Sequence, residues 1–513
     1  MCTLFLLIVL TSVKSVLCAN ILYVSSIPSP SHHIWNGVLT MALVKRGHNV
    51  TLVDPDIDKL PKSDNYTHIF LEGVYESLDI SYDLNDMASY SPIRMSIEFQ
   101  NWCTFGCNKI LRSEGLHNLL NYPPDFKFDL IIVDVTSGPC LYPLIHRFKY
   151  PPTIAVTAFL LPSYVSYNFG NNMYPTSIPW YGLPYTADMN FVERTFNVLY
   201  MYIDTASRYL NQYRREHDIT KKIFGENIPS MEEFERHMSL VLTNTDPILD
   251  YPQPLAPNFI SVGGLHTHRS NELPPDLKTI LDNAKNGAII FSLGTNIRSD
   301  KLDKRTQRAL IDAFSKIPET VIWKFESDIE NLPKNVIVRK WLPQNDALGH
   351  PNVKLFIGHG GALSTQESFY HGVPMICVPF IVDQHINAKL IIEKKLGLSI
   401  DFTRITSGYV LQTVREVLDN PVYFENVRRL SRIYKDKPQT ALEKAVFWTE
   451  YVIRHGGADF LSFPGRNYPY YKVYGLDIIL FLLVIIILIL LIVYKIINLV
   501  LNLLISKRKI KVN

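Results

Sequence analysis

A chain of 513 residues has room for two ordinary cores, and its 51 basic and 48 acidic side chains nearly cancel, leaving a formal charge of +3. No long basic run stands outside the last residues, so nothing in the charge pattern speaks for nucleic acid as a partner. Hydrophobic residues reach 47%, a share swollen by the two ends.

At the N-terminus, residues 4–10 form an apolar core too short to span a bilayer, and Val16-Leu17-Cys18-Ala19 supplies small residues for cleavage. Residues 1–19 are therefore expected to be a secretory signal, although no basic side chain precedes the apolar core. The remaining body keeps Cys103, Cys107, Cys140 and Cys377, too few for a disulfide framework in a protein of this size. Cys103 and Cys107 share one face if 101–111 is helical, either as a bridge or as two buried thiols. No repeated Cys/His spacing of zinc type occurs, and no metal site is expected.

Residues 21–25 read as a strand, 34–45 as a helix stopped by Arg46-Gly47-His48, and 50–53 as the next strand. This is the opening of a Rossmann-like half, without a glycine fingerprint in its first turn. His32 and His33 fall in the loop after the first strand. Asp54-Pro55-Asp56-Ile57-Asp58 follows the second strand and lacks the glycine and final glutamate of a calcium loop, so a solvated turn is expected. Asn49 and Asn65 each begin an N-glycosylation pattern, and Asn65 is the better site because Asn49 enters a strand.

Residues 128–133 make a buried strand ending at Asp134, and 153–156 another. Between 157 and 240 the chain is richer in aromatics, with helical spacing over 191–215, as suits a pocket wall. A proline-rich stretch, 246–275, reads as an interdomain linker. A second Rossmann-like half opens with the strand 288–293, whose end carries Ser292, Gly294 and Thr295 toward the switch point where such sheets bind ligands. The expected domains are 20–255 and 256–457.

The densest chemistry lies at 341–387. A strand at 336–341 leads to Pro343 and Gln344. A second, 353–357, stops at Gly358-His359-Gly360-Gly361 and passes into a helix over 362–370. Small residues at a strand-to-helix turn let backbone approach a ligand closely, and the helix N-terminus offers unpaired N–H groups, which together seat a phosphate. Ser364 and Glu367 stand three apart on one face; read alone they are a capping box. A third strand, 375–378, leads to Asp383 and Gln384, a carboxylate and an amide suited to vicinal hydroxyls.

In order and spacing this stretch resembles the donor-binding signature of the UDP-glycosyltransferases, membrane enzymes that conjugate small lipophilic molecules with sugars. The resemblance implies that Trp341 and Gln344 hold uracil and ribose, His359 and Ser364 the diphosphate beside Gly361, Glu367 the ribose diol, and Asp383 with Gln384 the sugar. One departure is Leu363, where the signature often has asparagine. The resemblance further implies two Rossmann-like α/β domains of GT-B type facing a cleft. His32, chosen for its position after Ser31 and its distance from Arg46-Gly47-His48, would be the base oriented by Asp134. The expected reaction is metal-independent, inverting transfer of a hexose, glucose first, from a UDP-sugar to a small lipophilic acceptor, with no cofactor. Glucuronosyl transfer is the alternative, and a membrane-anchored protein that binds lipophilic ligands without catalysis is the reading from another class.

Toward the C-terminus, residues 478–494 carry no charge, and the apolar run continues past Lys495. A transmembrane helix is expected over 476–500, flanked by Tyr468, Tyr470, Tyr471 and Tyr474 as an aromatic belt. The tail 501–513 carries Lys507, Arg508, Lys509 and Lys511, which places it in the cytosol and the body in the lumen, a single-pass type I arrangement. Lys509 and Lys511 are spaced like a dilysine retrieval signal of the endoplasmic reticulum. The sequence leaves assembly into a homo-oligomer open.

Overall fold

The computed structural model describes residues 18–75 and 90–510. The expected signal, apart from its last two residues, lies outside the described residues. The chain divides into two compact units, Met1–Ser462 and Phe463–Asn513.

The first unit holds two parallel sheets. β1 (Asn20–Val24), β2 (Asn49–Asp54), β3 (Tyr66–Phe70), β4 (Leu130–Asp134), β5 (Thr153–Thr157), β6 (Met238–Thr243) and β7 (Phe259–Ser261) form one, in the order β3-β2-β1-β4-β5-β6-β7. Its central strands are apolar throughout because both faces are covered, and the faces alternate residue by residue. Ile21 and Tyr23 join Leu130, Ile132 and Ile154 on one side, while Leu22 and Val24 join Ile131 and Val133 on the other.

Helix α1 (Pro30–Lys45) follows β1 and buries Trp35, Leu39 and Leu43 against the first of these faces. It starts four residues earlier than its hydrophobic spacing suggests, because Ser29 is extended and Pro30 supplies a first-turn φ. His32 and His33 therefore stand in a helix, not a loop.

The expected linker at 246–275 is not free chain, since β7 lies within it and extends the first sheet to Ser261. β8 (Ala288–Ser292), β9 (Thr320–Lys324), β10 (Val336–Arg339), β11 (Val353–Gly358), β12 (Met375–Cys377) and β13 (Gly397–Ser399) form the second sheet, ordered β10-β9-β8-β11-β12-β13. Each sheet thus reverses direction beside its first strand, between β1 and β4 and between β8 and β11, the places where ligands settle in such sheets. The late helix 441–455 returns to the first sheet, packing Ala445 and Val452 with Trp35 and Leu39. Arg46 at the end of α1 binds Glu450 of that helix through two bonds of 2.7 and 3.1 Å.

Cys107 pairs with Cys140, not with Cys103. Cys107 lies on α2 (Pro92–Ile110) and Cys140 in the turn beyond β4, with Cα atoms 5.6 Å apart. Cys103 is on the same helix and stays free. Asn49 is exposed, contrary to the expectation that the strand would bury it, and its amide donates to Asn20 Oδ1. Asn65 is exposed in the turn before β3.

The second unit is dominated by one helix, Leu476–Ile510, of which Leu476–Leu504 is long and apolar enough to cross a membrane. At 1.5 Å per residue its 29 residues exceed a hydrocarbon core of about 30 Å. The helix does not stop at residue 500 but carries on through Ile510 into the basic segment.

The disulfide closes a loop across 33 residues, so removing it with Cys107→Ala and Cys140→Ala should cost about 2–4 kcal/mol in denaturant unfolding. Peptide mapping of the alkylated, unreduced protein should find Cys103 labelled; a Cys103–Cys107 bridge would refute the pairing.

Candidate active site

The site begins at the switch point of the first sheet. Asp134 ends β4 and His32 sits in the first turn of α1, which brings His32 Nδ1 to 2.9 Å from Asp134 Oδ2. The carboxylate is buried, and burial alone would raise its pKa. The His32 charge and hydrogen bond, with Thr136 donating its backbone N–H at 3.0 Å, outweigh that and hold it below the usual carboxylate range. Ser25 Oγ at 3.2 Å and Asn36 Nδ2 at 3.3 Å also donate to it, and Tyr23 steadies Asn36 through a 2.8 Å bond. An ionised Asp134 accepts, so His32 donates from Nδ1, and in the neutral ring the lone pair then falls on Nε2. Nε2 is buried and has no partner. That is the geometry of a poised base.

His33, one residue on, belongs to another cluster. Its Nδ1 is 2.7 Å from Asp54 Oδ2, and His68 Nε2 is 3.1 Å from Oδ1 of the same carboxylate. Asp54 and Asp56 are buried, so the solvated turn expected here is wrong: Asp54 is the last residue of β2 and is held by two histidines, and Asp56 takes a bond from Tyr75. Among the described residues, His33, Asp54 and His68 are the group spaced closely enough to hold a metal ion.

At the switch point of the second sheet, β8 ends in Ser292 and β11 in Gly358. His359 lies between two glycines. A Cβ on Gly294 would come within 2.4 Å of its ring and one on Gly361 within 2.3 Å, so only glycine lets both turns close on the imidazole. Burial and the Lys324 charge push His359 down to about 4, leaving it neutral, and its Nδ1 has no partner. Helix α5 (Ala362–His371) starts directly after, with Gly361 as N-cap and no side chain capping it. The capping box is thus absent, and the leading N–H groups are open to an anion. Ser364 is buried in the first turn, and Thr295 is half-buried at the end of the facing loop.

Glu367, one turn along, accepts a 2.6 Å bond from Gln344, so Gln344 orients the carboxyl. His266 Nε2 lies 4.0 Å from Glu367 and close to the Leu363 carbonyl. Trp341 is 55% exposed, with Lys59 5.2 Å and Lys324 6.0 Å from the centre of its ring. Asp383 caps α6 (Gln384–Glu393) and takes a 2.8 Å bond from Asn387, whose amide also donates to Gly360. Burial pushes its carboxyl up to about 6, against the Asn387 hydrogen bond. Gln384 turns its carbonyl back to the amides of Phe380 and Ile381, which leaves only its NH₂ group for a ligand. Val382 holds φ 52°, a strained conformation for a β-branched residue, at the step into Asp383.

The halves meet at the cleft where Ser29, just before α1, takes a 3.0 Å bond from Asn296, next to Thr295. Phe159 packs edge-on against His32 at 5.1 Å and lines a pocket together with Phe99, Tyr164, Trp180 and Tyr181. Phe380 to Val382 and His385 cover it from the second half. His266, Asn387 and Val382 join the site although no sequence motif points to them; His266 and Val382 stand in turns and Asn387 in the first turn of α6, with neighbours that only the fold supplies.

The family model described as UDP-glucoronosyl and UDP-glucosyl transferase matches residues 24–511. The UDP-glycosyltransferase UGT5 of Dactylopius coccus is 33% identical over 94% of this chain and 92% of its own length. The UDP-glucuronosyltransferase 2B15 of Homo sapiens is 31% identical over 88% of each chain. Among solved structures, the glycotransferase of kitacinnamycin superposes with a TM-score of 0.58 at 18% identity, over 85% of this chain and 99% of that one. The calicheamicin glycosyltransferase CalG4 gives 0.55 at 18%, again over 85% and 99%. These structures share the GT-B fold, two Rossmann-like domains facing a cleft.

Glu367 supplies a test of the buried geometry. Burial pushes its carboxyl up from 4.5 to about 7, despite the Gln344 bond. The proton it retains favours the folded state at low pH, and that stability is lost as pH rises through about 7. Glu367→Gln cannot ionise, so its melting temperature without ligand should exceed that of the wild type at pH above about 7 and converge with it toward the acid side. The reverse order would mean the carboxyl is not buried as described.

Proposed function

Because this chain belongs to the UDP-glucuronosyl and UDP-glucosyl transferase family, and is thus a hexosyltransferase using a UDP-sugar, we propose that it transfers glucose to a small lipophilic hydroxyl acceptor in one inverting step. The observation that carries this reading is the His32–Asp134 pair with its unpartnered Nε2, in the half that meets the second sheet at the Ser29–Asn296 bond. His32 Nε2 takes the hydroxyl proton as the acceptor oxygen attacks the anomeric carbon from the face opposite the leaving UDP. Asp134 stabilises the imidazolium that results. Charge growing on the diphosphate is met by the N–H groups of Gly361 and the start of α5, with Ser364 beside them. On this reading the step needs no metal.

Trp341 offers its exposed ring to the uracil, and Glu367, oriented by Gln344, accepts from the ribose diol. Ser292, Gly294 and Thr295 line the other side of the diphosphate. Asp383 and the Gln384 amide take the sugar hydroxyls. Glucose is favoured because the carboxylate of glucuronate would meet the buried Asp383. Glucuronosyl transfer is the second reading, on the strength of the human relative's name. The apolar helix supports anchoring in the endoplasmic reticulum membrane, with a lumenal body, a short cytosolic tail and Asn65 the better glycan site.

His32→Ala should lower turnover by about 10²–10⁴-fold, the usual contribution of a general base, with UDP affinity nearly unchanged. Asp134→Asn should cost less. Intact turnover in His32→Ala would make His33 the residue to test. In parallel donor assays UDP-glucose should outperform UDP-glucuronate, EDTA should leave the rate intact, and Asp383→Ala should weaken UDP-glucose binding far more than UDP binding. Equal losses for both ligands would refute the Asp383 assignment. In sealed microsomes protease should remove only a short C-terminal piece; digestion of the body without detergent would reverse the topology.

A further inference from the structure

The cluster around His33 has no role in the transfer step. Helix α1 covers the sheet face that carries Val50 and Leu52, packing Trp35 and Leu39 onto it. Side chains alternate along a strand, so Asp54, the last residue of β2, lies on that face too. His68 stands opposite Leu52 in the parallel register of β2 with β3, which puts its imidazole on the same face. His33, in the first turn of α1, closes the group from above.

His33 Nδ1 lies 2.7 Å from Asp54 Oδ2 and His68 Nε2 lies 3.1 Å from Oδ1. One ligand atom from each of the three residues falls within 4.8 Å of the other two. Around a tetrahedral zinc ion with bonds of about 2.0–2.1 Å, ligand atoms sit about 3.3–3.4 Å apart. The two histidine–aspartate distances therefore need to open by less than about 1 Å, with the imidazoles drawing together. Two imidazoles and a carboxylate suit zinc and its transition-metal neighbours, whereas calcium and magnesium take oxygen.

A second observation lies two residues on. Asp56 is 5% exposed, its amide donates to Asp54 Oδ1 at 3.0 Å, and its own Oδ1 accepts from Tyr75. Its Oδ2 is buried without a partner, which is costly for a carboxylate. With both imidazoles neutral, as metal binding requires, Asp54 and Asp56 leave two buried negative charges, and a divalent cation cancels them. His68 has 10% of its side chain exposed against 1% for Asp54, so the group opens to solvent on the His68 side.

We propose that His33, Asp54 and His68 bind a zinc ion, with water in the fourth place, that fastens α1 to β2 and β3. The ion holds the fold and stays outside the transfer step, so the assignment stands independently of the transferase reading.

The test uses the untagged full-length protein in detergent, stripped with a chelator and dialysed. Calorimetric titration should find one equivalent of zinc bound, and saturating zinc should raise the melting temperature by a few degrees, while magnesium and calcium do neither. X-ray absorption at the zinc edge should count two imidazole ligands. His68→Gln should weaken zinc by at least the ~10–100-fold that follows loss of an outer-shell partner, and should abolish the rise in melting temperature. Its turnover and UDP affinity should match the wild type, which shows that it is folded. His68→Glu, which returns a ligand of similar reach, should restore part of the binding. Failure of the wild type to bind zinc overturns the proposal, as does undiminished binding in His68→Gln. Zinc bound without imidazole ligands does the same, and that count decides even if His68→Gln fails to fold. A rate that falls on chelation, well below the melting temperature, would overturn the structural role.

Discussion

The bond between His32 and Asp134 is the constraint to which the first half of the molecule answers. It requires β1 and β4 to be neighbours, because the histidine follows one and the carboxylate ends the other. It also requires α1 to begin at Pro30, since a later start would leave His32 in flexible chain. Asp134 tolerates burial only because Thr136, Ser25, Asn36 and His32 all donate to it. The result is an imidazole with one nitrogen committed and the other free, at the place where a twisted parallel sheet opens.

The second half repeats the architecture for a different purpose. The same strand order, read from β8, opens at Ser292 and Gly358, and there the chain places glycines instead of an acid–base pair. Gly294 and Gly361 lie so close to the His359 ring that neither position has room for a Cβ. Asn387 then ties the Gly360 carbonyl to Asp383 through two bonds of 2.8 Å. The Ser29–Asn296 bond joins the starts of the two ligand loops, so closure of the cleft and placement of α1 are linked.

Much of this was legible in the sequence, and for definite reasons. The central strands are unbroken apolar runs, and the Gly-His-Gly-Gly turn sits between a strand and a helix, so pattern alone located both switch points. Other features depended on partners distant in sequence. Asp54 reads as a turn residue until β2 and α1 bring two histidines to it. Cys107 finds Cys140, not the nearer Cys103, because α2 packs over the end of β4. β3 is a polar edge strand, Tyr-Thr-His-Ile-Phe, β7 is three residues long within a proline-rich stretch, and neither carries a usable period. Gln344 and Gln384 are expected at the ligand; their bonds to Glu367 and to the Phe380 amide are further partners that no sequence pattern shows.

The central claim is that His32 removes a proton during attack. It is tested most directly by the rate loss in His32→Ala measured across phenolic acceptors of graded acidity. An ordinary phenol keeps its proton at neutral pH, titrating near ~10, whereas a nitrophenol is already partly ionised and needs no base. The loss should therefore be large for weakly acidic acceptors and shrink steadily as acidity rises, with UDP binding constant throughout. A loss of the same size for every acceptor would show that His32 holds the site together without moving the proton.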